Sequence, residues 1–215
     1  MTILLVVAKA PVPGFAKTRL CPPATPEQAA GIAAAALLDT LDAALATPDA
    51  RVVVAMTGSL ADATAGPEIA AALRGITVIP QRGNGFAARL VNAHADTAAL
   101  HPGHPVLQIG MDTPQVTPDL LASSAAALSE VDSVLGAAED GGWWALGLRD
   151  PRHAEVLAGV PMSTAETGAR TREALVTRGL TVGALPMLSD VDTMADARRV
   201  AGGRRFPGAV AVVTS

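Results

Sequence analysis

Apolar residues come in blocks along this chain, and the blocks have two lengths. The short ones read as strands: Ile3 to Ala8, Arg51 to Met56, Ile76 to Ile79 and Val106 to Ile109. Runs of this kind, rich in branched residues and unbroken by polar ones, suit central parallel strands buried on both faces. The long blocks between them read as helices. Thr25-Pro26 supplies an N-cap and a proline at N1 for a helix running to about Ala46. A small helix is expected over Pro67 to Leu73, another from Gly85 to about Leu100, and one starting at Thr117-Pro118. The second half changes character. Asp132 to Ala138 and Trp143 to Leu148 flank Glu139-Asp140-Gly141-Gly142, a turn signal between two apolar runs. Ser163 and Glu166 have the spacing of a capping box for a helix reaching Arg178. A strand over Leu180 to Leu185 follows, then a last helix from Met194 to about Ala201, capped by Asp192 or Thr193. Strand and helix alternate over the first 130 residues, so the expected fold is a right-handed α/β sheet, mostly parallel and mixed toward its C-terminal half.

The 215 residues suffice for one domain with a full core and are too few for two comfortable ones. Half are apolar, but aromatics make up only 2%, so the core must be built of alanine and aliphatic side chains on closely spaced helices. A formal net charge of −4 gives no reason to expect nucleic acid or an anionic membrane as partner. Cys21 is the single cysteine, which excludes an intrachain disulfide framework and a cysteine-based zinc site. The first apolar run is too short for a signal-peptide core or a membrane span. The expectation is a soluble, cytoplasmic protein.

Candidate chemistry gathers where strands end. In open α/β sheets ligands bind just past the carboxyl ends of the strands. After the first strand come Lys9, Pro13, Gly14, Lys17 and Arg19 in a loop that two prolines and a glycine keep irregular. Three cations there are placed to grip phosphates, and the glycine would let backbone approach them. This is not a Walker loop. After the third strand, Gln81 could read a nucleobase edge, Gly85 opens a helix and Arg89 could reach a phosphate. A bare Gly-x-Gly is equally a plain loop-to-helix junction. The fourth strand ends in Gly110-Met111-Asp112-Thr113-Pro114, which sets the Asp112 carboxylate at the mouth of a cleft. Such a carboxylate suits Mg²⁺ or Mn²⁺, though Asp and Pro also make ordinary turns. Late in the chain, Asp190-Val191-Asp192 aims two carboxylates to one side, and such a pair repels itself unless a cation or proton intervenes. Asp140 could bind a hydroxyl while Gly141 and Gly142 clear space for a substrate. One of Trp143 and Trp144 is expected in the core and the other as a pocket wall. His94, His101, His104 and His153 read as surface residues.

Taken together, Lys9-Ala10-Pro11-Val12-Pro13-Gly14 with Lys17-Thr18-Arg19-Leu20, Gly110-x-Asp112-x-Pro114, Glu139-Asp140-Gly141-Gly142 and Asp190-Val191-Asp192-Thr193 resemble the radical-SAM/selenodomain-associated transferase 1 family. More distantly they are similar to phospholactate or phosphoenolpyruvate guanylyltransferases and to molybdenum cofactor guanylyltransferases. The resemblance implies a single GT-A domain, a Rossmann-like, nucleotide-diphospho-sugar transferase-like mixed sheet flanked by helices. Residues 1–114 would form its nucleotide-binding half and 115–215 its acceptor-binding half. It implies that Lys17 and Arg19 hold nucleotide phosphates, and that Asp112, Asp190 and Asp192 hold Mg²⁺ or Mn²⁺. Asp140, Gly141, Gly142, Trp143, Ser163 and Thr164 would bind the acceptor. The sequence departs from the family at Ala87 and Ala88, where a further glycine is usual, and at Trp143, where Tyr is common. The expected activity is nucleotidyl transfer from a nucleoside triphosphate to a small phosphorylated or hydroxylated acceptor. The alternatives are glycosyl transfer from a nucleotide sugar, hydrolysis of one, and a non-catalytic nucleotide sensor. A homodimer is the candidate assembly.

Overall fold

A computed structural model describes residues 1–200 and 202–214. Seven strands form one sheet: β1 (Thr2–Lys9), β2 (Ala50–Thr57), β3 (Thr77–Pro80), β4 (Val106–Gly110), β5 (Ser133–Ala138), β6 (Trp143–Leu148) and β7 (Val182–Leu188). Their order is β3-β2-β1-β4-β6-β5-β7. β6 runs antiparallel to both its neighbours, and every other pairing is parallel. The hairpin expected over residues 132–148 is the source of that reversal. It has a consequence for the site. The carboxyl ends of β1, β3, β4, β5 and β7 and the amino end of β6 all fall on one edge of the sheet.

Helices cover both faces. α1 (Pro26–Leu45), α2 (Gly66–Ala72) and α4 (Pro118–Ala126) pack on one face through Leu37, Ile69 and Leu121. α3 (Phe86–Leu100), a 3₁₀ segment over Pro151–Gly159 and α5 (Thr167–Thr177) cover the other through Leu90, Leu157 and Leu175. α6 (Met194–Arg199) and α7 (Phe206–Thr214) lie outside α1, where Ile32 meets Val191, Met194 and Phe206. α1 is therefore buried on two sides. That explains why it has the length and apolar composition of a membrane span, the one such helix among the described residues. Alanines along it let the outer helices approach closely.

Several boundaries differ from expectation. β7 runs on to Leu188 and so carries the chain directly to Asp190. α5 begins at Thr167, not beside Ser163: Ser163 is left-handed, with φ 59°, and caps nothing. Thr164 and Thr167 organise that turn instead, the Thr167 hydroxyl accepting from the Thr164 amide at 3.0 Å. Thr25, Thr117 and Thr193 cap α1, α4 and α6. The expected end of the last helix, Ala201, lies outside the described residues. The 3₁₀ segment and α7 were not among the expected elements.

The C-terminal elements are fastened by one buried acid. Asp39 on α1 accepts from the backbone amides of Arg205 and Phe206, both at 2.9 Å, and pairs with the Arg205 guanidinium at 3.2 Å. Its side chain is 2% exposed. Asp39→Ala leaves the Arg205 and Phe206 amides without an acceptor, while the guanidinium keeps Asp42 and Glu68; the loss costs about 3 kcal/mol. Urea denaturation should show that loss, and a loss below about 1 kcal/mol would mean that water replaces the carboxylate without difficulty.

Candidate active site

The loops along the carboxyl edge enclose a cleft of about 950 Å³, the size of a small-molecule site. Its centre is an acidic cluster. Asp112, Asp190 and Asp192 each offer a carboxylate oxygen, and these atoms lie within 4.8 Å of one another. The local sequence accounts for the convergence. Gly110 has no side chain where a Cβ would stand 2.7 Å from the Asp112 carboxylate, so the turn after β4 can fold that carboxylate back over the strand end. The Val191 backbone amide donates to the Asp112 carbonyl at 3.1 Å, and the Gln115 side-chain amide donates to the Ser189 carbonyl. Val191 itself is buried against α1, which leaves the acids on either side of it turned to the cleft. Thr193 takes the N-cap of α6 and accepts Asp196 as its capping-box partner, so Asp192 is released from capping.

The loop after β1 brings the counter-charge. Lys17, left-handed at φ 49°, donates from Nζ to Asp112 Oδ2 at 2.7 Å and to Asp192 Oδ1 at 3.0 Å. Arg19 reaches the other oxygen of Asp192 at 2.8 Å. Burial works against the Lys17 charge, but Asp112 and Asp192 outweigh it and hold the ammonium above its ordinary value. Burial also pushes Asp192 up, and Lys17 and Arg19 reverse this to hold it below the usual carboxylate range. Asp190 has no such partner. Burial first, then Asp112, Asp140 and Asp192, push it up to about 6, against the pull of Lys17. An all-oxygen donor set with surplus negative charge fits a hard divalent cation such as Mg²⁺ or Mn²⁺.

Around this centre, the cleft is lined by Lys9, Gln81 and Arg89 from the first half of the chain. Asp140, Gly142, Trp143, Ser163 and Thr164 line it from the second. Pro13, Gly14, Gly85 and Gly141 are not on its lining. Lys9 donates to the Phe15 carbonyl at 2.6 Å and braces its own loop. Gln81 gives its amide hydrogens to the carbonyls of Ala8 and Ala55, at 2.8 and 2.9 Å. It thus ties the loop after β3 across β2 to β1, and only its carbonyl remains to read a ligand. Asp140 accepts from the Gly142 amide at 2.7 Å. Gly141, at φ +87°, leaves room for protein: a Cβ there would collide with the Ala165 carbonyl. Its own carbonyl accepts from the Gly168 amide at 2.8 Å, docking the 163–168 loop onto the hairpin. Trp144 is in the core and Trp143 walls the cleft.

Two features lay outside the sequence-based expectations. The chain has five aromatic residues, and Phe15, Phe86 and Trp143 line this one cleft. Phe15 is 70% exposed, an expensive place for a ring unless something stacks on it. A phenylalanine set between glycine and cations in a loop of so ring-poor a chain was the available signal. Second, His94 is not a surface residue. It is fully buried on the inward face of α3 with Leu90, Ala93 and Thr97. The alanines around it blurred which face of the helix was apolar.

Charge balance makes the cluster a cost to the metal-free fold. Asp190 is unpenalised when protonated; the cost develops as pH rises from the ordinary aspartate value, 3.8, to about 6, and is full above that. Asp190→Asn should therefore stabilise the metal-free protein by about 1–2 kcal/mol at pH 7.5, allowing for solvent screening. At pH 4 it should make no difference. Thermal denaturation at both pH values checks this; equal effects at both would remove the electrostatic explanation.

The same architecture occurs in solved structures. A proposed nucleotide-diphospho-sugar transferase from Desulfovibrio desulfuricans G20 is 24% identical, with a TM-score of 0.82 over 99% of each chain. Rv0371c from Mycobacterium tuberculosis H37Rv, in complex with manganese, is 23% identical with a TM-score of 0.56, over 93% of this chain and 97% of that one. The 4-diphosphocytidyl-2C-methyl-D-erythritol synthase from Anaerococcus prevotii DSM 20548 is 10% identical with a TM-score of 0.60, over 100% and 96%. These likenesses show the fold: a single-domain, nucleotide-diphospho-sugar transferase-like GT-A sheet, mixed and mostly parallel. No curated protein matches the sequence. Residues 40–164, more than half of the chain, match the family described as "Uncharacterized protein conserved in bacteria (DUF2064)", and the chain belongs to that family.

Proposed function

We propose that the protein is a divalent-metal-dependent transferase that moves a nucleotidyl group from a nucleoside triphosphate to a small phosphorylated or hydroxylated acceptor. The observation that carries this reading is the meeting of Asp112, Asp190 and Asp192 opposite Lys17 and Arg19 at the edge of a sheet of this fold. Asp112, Asp190 and Asp192 would hold Mg²⁺ or Mn²⁺, in keeping with the manganese in Rv0371c. That metal would supply charge neutralisation on the donor phosphates. Lys17 and Arg19, with Lys9 nearby, would take the charge that builds on the leaving pyrophosphate. An acceptor oxygen attacks the α-phosphorus as the bond to pyrophosphate breaks, so positioning and electrostatics do most of the work.

The nucleotide would occupy the half built by residues 1–114 and the acceptor the half built by 115–215. Phe15 and Phe86 offer ring faces for a base and Gln81 a carbonyl for its edge. Asp140, Gly142, Trp143, Ser163 and Thr164 would face the acceptor. Pro13, Gly14, Gly85 and Gly141 would shape the loops without touching either substrate. The reading agrees with the resemblance to radical-SAM-associated transferases and to guanylyltransferases, and it sets the enzyme in the cytoplasm among its triphosphates. The description of the D. desulfuricans protein favours a second reading, glycosyl transfer from a nucleotide sugar. The two part company over the product. A panel of nucleoside triphosphates and nucleotide sugars with Mg²⁺ should release pyrophosphate. Release of nucleoside diphosphate selects the second reading, and turnover from no donor with any acceptor removes both.

Two variants probe the centre. Asp112→Asn should lower turnover at least about a hundredfold with the fold intact by circular dichroism. Near-normal turnover would take Asp112 out of the mechanism. Lys17 occupies the oxygens a metal would use, so a bound divalent cation must displace or repel its ammonium. Lys17→Met should therefore bind Mn²⁺ about tenfold more tightly by calorimetry while losing turnover. Weaker Mn²⁺ binding would mean that Lys17 supports the metal instead of competing with it.

A further inference from the structure

Behind the acidic centre the cleft has a wall of a different kind. β4 is an apolar strand except at Gln108, which shares its sheet face with Val106 and so faces the α3 layer. Gln108 is 2% exposed yet lies on the lining of the cleft. His94 Nε2 stands 3.0 Å from its Oε1. Burial holds the imidazole down to about 4, so it is neutral and carries one N–H. Its Nδ1 meets no partner among the described residues. A buried N–H without an acceptor is rarer and costlier than a buried lone pair without a donor. The proton therefore resides on Nε2 and is donated to Gln108 Oε1. That bond fixes the plane of the amide and turns its NH₂ away from His94. Among the described residues nothing accepts from that nitrogen.

Arg89 lines the cleft from the first turn of α3. Its guanidinium rests over the Phe86 ring, 5.8 Å from the centroid. Its Nε is buried without a hydrogen-bond partner among the described residues. Two donors, one charged and both unanswered, thus belong to the layer that α3 and β4 share. Their complement is a group that only accepts and carries negative charge.

We propose that Gln108 is a substrate-binding residue whose amide nitrogen, aimed by His94, donates to an oxyanion of the substrate seated with Arg89. The oxyanion is a phosphate or a carboxylate, and His94 is a positioning residue. This rests on the transferase reading for the identity of the substrate; the oxyanion seat itself does not need turnover.

Inorganic phosphate is the probe, titrated by calorimetry into the full-length protein. Gln108→Glu keeps an oxygen for the His94 N–H and replaces the cleft donor by an acceptor. It should weaken phosphate binding at least about tenfold, as loss of a charged hydrogen bond does. If the melting temperature falls, Gln108→Met, which is similar in size and has no donor, should weaken binding likewise. His94→Phe should also weaken it, and His94→Gln, which retains an N–H, should restore it; a residue that only fills space would not show that rescue. Repeating the titration with the protein saturated by whichever triphosphate of the panel binds with Mg²⁺ separates the sources. Phosphate excluded by nucleotide assigns the seat to a donor phosphate, and phosphate bound beside nucleotide assigns it to the acceptor. Should no triphosphate bind, the nucleotidyl-transfer reading fails while the phosphate titration still decides the seat. Wild-type protein without phosphate affinity, or Gln108→Glu and Gln108→Met indistinguishable from wild type, overturns the proposal.

Discussion

Three carboxylates that repel one another stand within a single ion's reach, and the rest of the structure is arranged to keep them there. Their proximity is unfavourable alone: burial and mutual repulsion push Asp190 up to about 6. Lys17 relieves part of the repulsion by pairing with Asp112 and Asp192. A fold selected only for stability would not assemble this cluster, because like charges in a half-buried cleft cost free energy unless a cation joins them. Such perturbed groups gather at functional sites more often than elsewhere.

Topology brings the acids together, not proximity in sequence. Asp112 follows β4 and the Asp190-Asp192 pair follows β7, at opposite ends of four neighbouring strands. Reversal of β6 puts the hairpin turn at residues 139–142 on the same edge as the parallel strand ends. The last stretch of chain then returns over α1, where Val191 and Phe206 are buried together. Asp39 fastens that return. Stability at one end of α1 and chemistry at the edge of the sheet are thus linked through residues 189–206.

Much of this was legible in the chain. Apolar runs located all seven strands, and threonine-proline pairs located two helix starts, because these features act over a few residues and owe little to tertiary context. The carboxylates were legible as well: an acid after a buried strand and an Asp-x-Asp each point outward for local reasons. Tertiary choices were not. Ser163 and Glu166 have the spacing of a capping box, yet the loop must bend early so that Ala165 and Gly168 can dock on Gly141, and the helix starts later. His94 looked like any polar residue of an alanine-rich helix, since alanine tolerates either face. Lys17 read as a phosphate ligand from its loop; that it first answers the acids depends on a contact spanning 95 residues. Gln108, polar within an apolar strand, and Phe15, aromatic within a cationic loop, were signals of the same local kind that pattern alone left without a role.

The most direct test is a crystal grown with Mn²⁺ and examined by anomalous diffraction. One manganese peak should lie among Asp112, Asp190 and Asp192, with the Lys17 ammonium moved off its Asp112 and Asp192 oxygens. Manganese bound elsewhere, or bound at this edge by one of the three acids alone, would contradict the account.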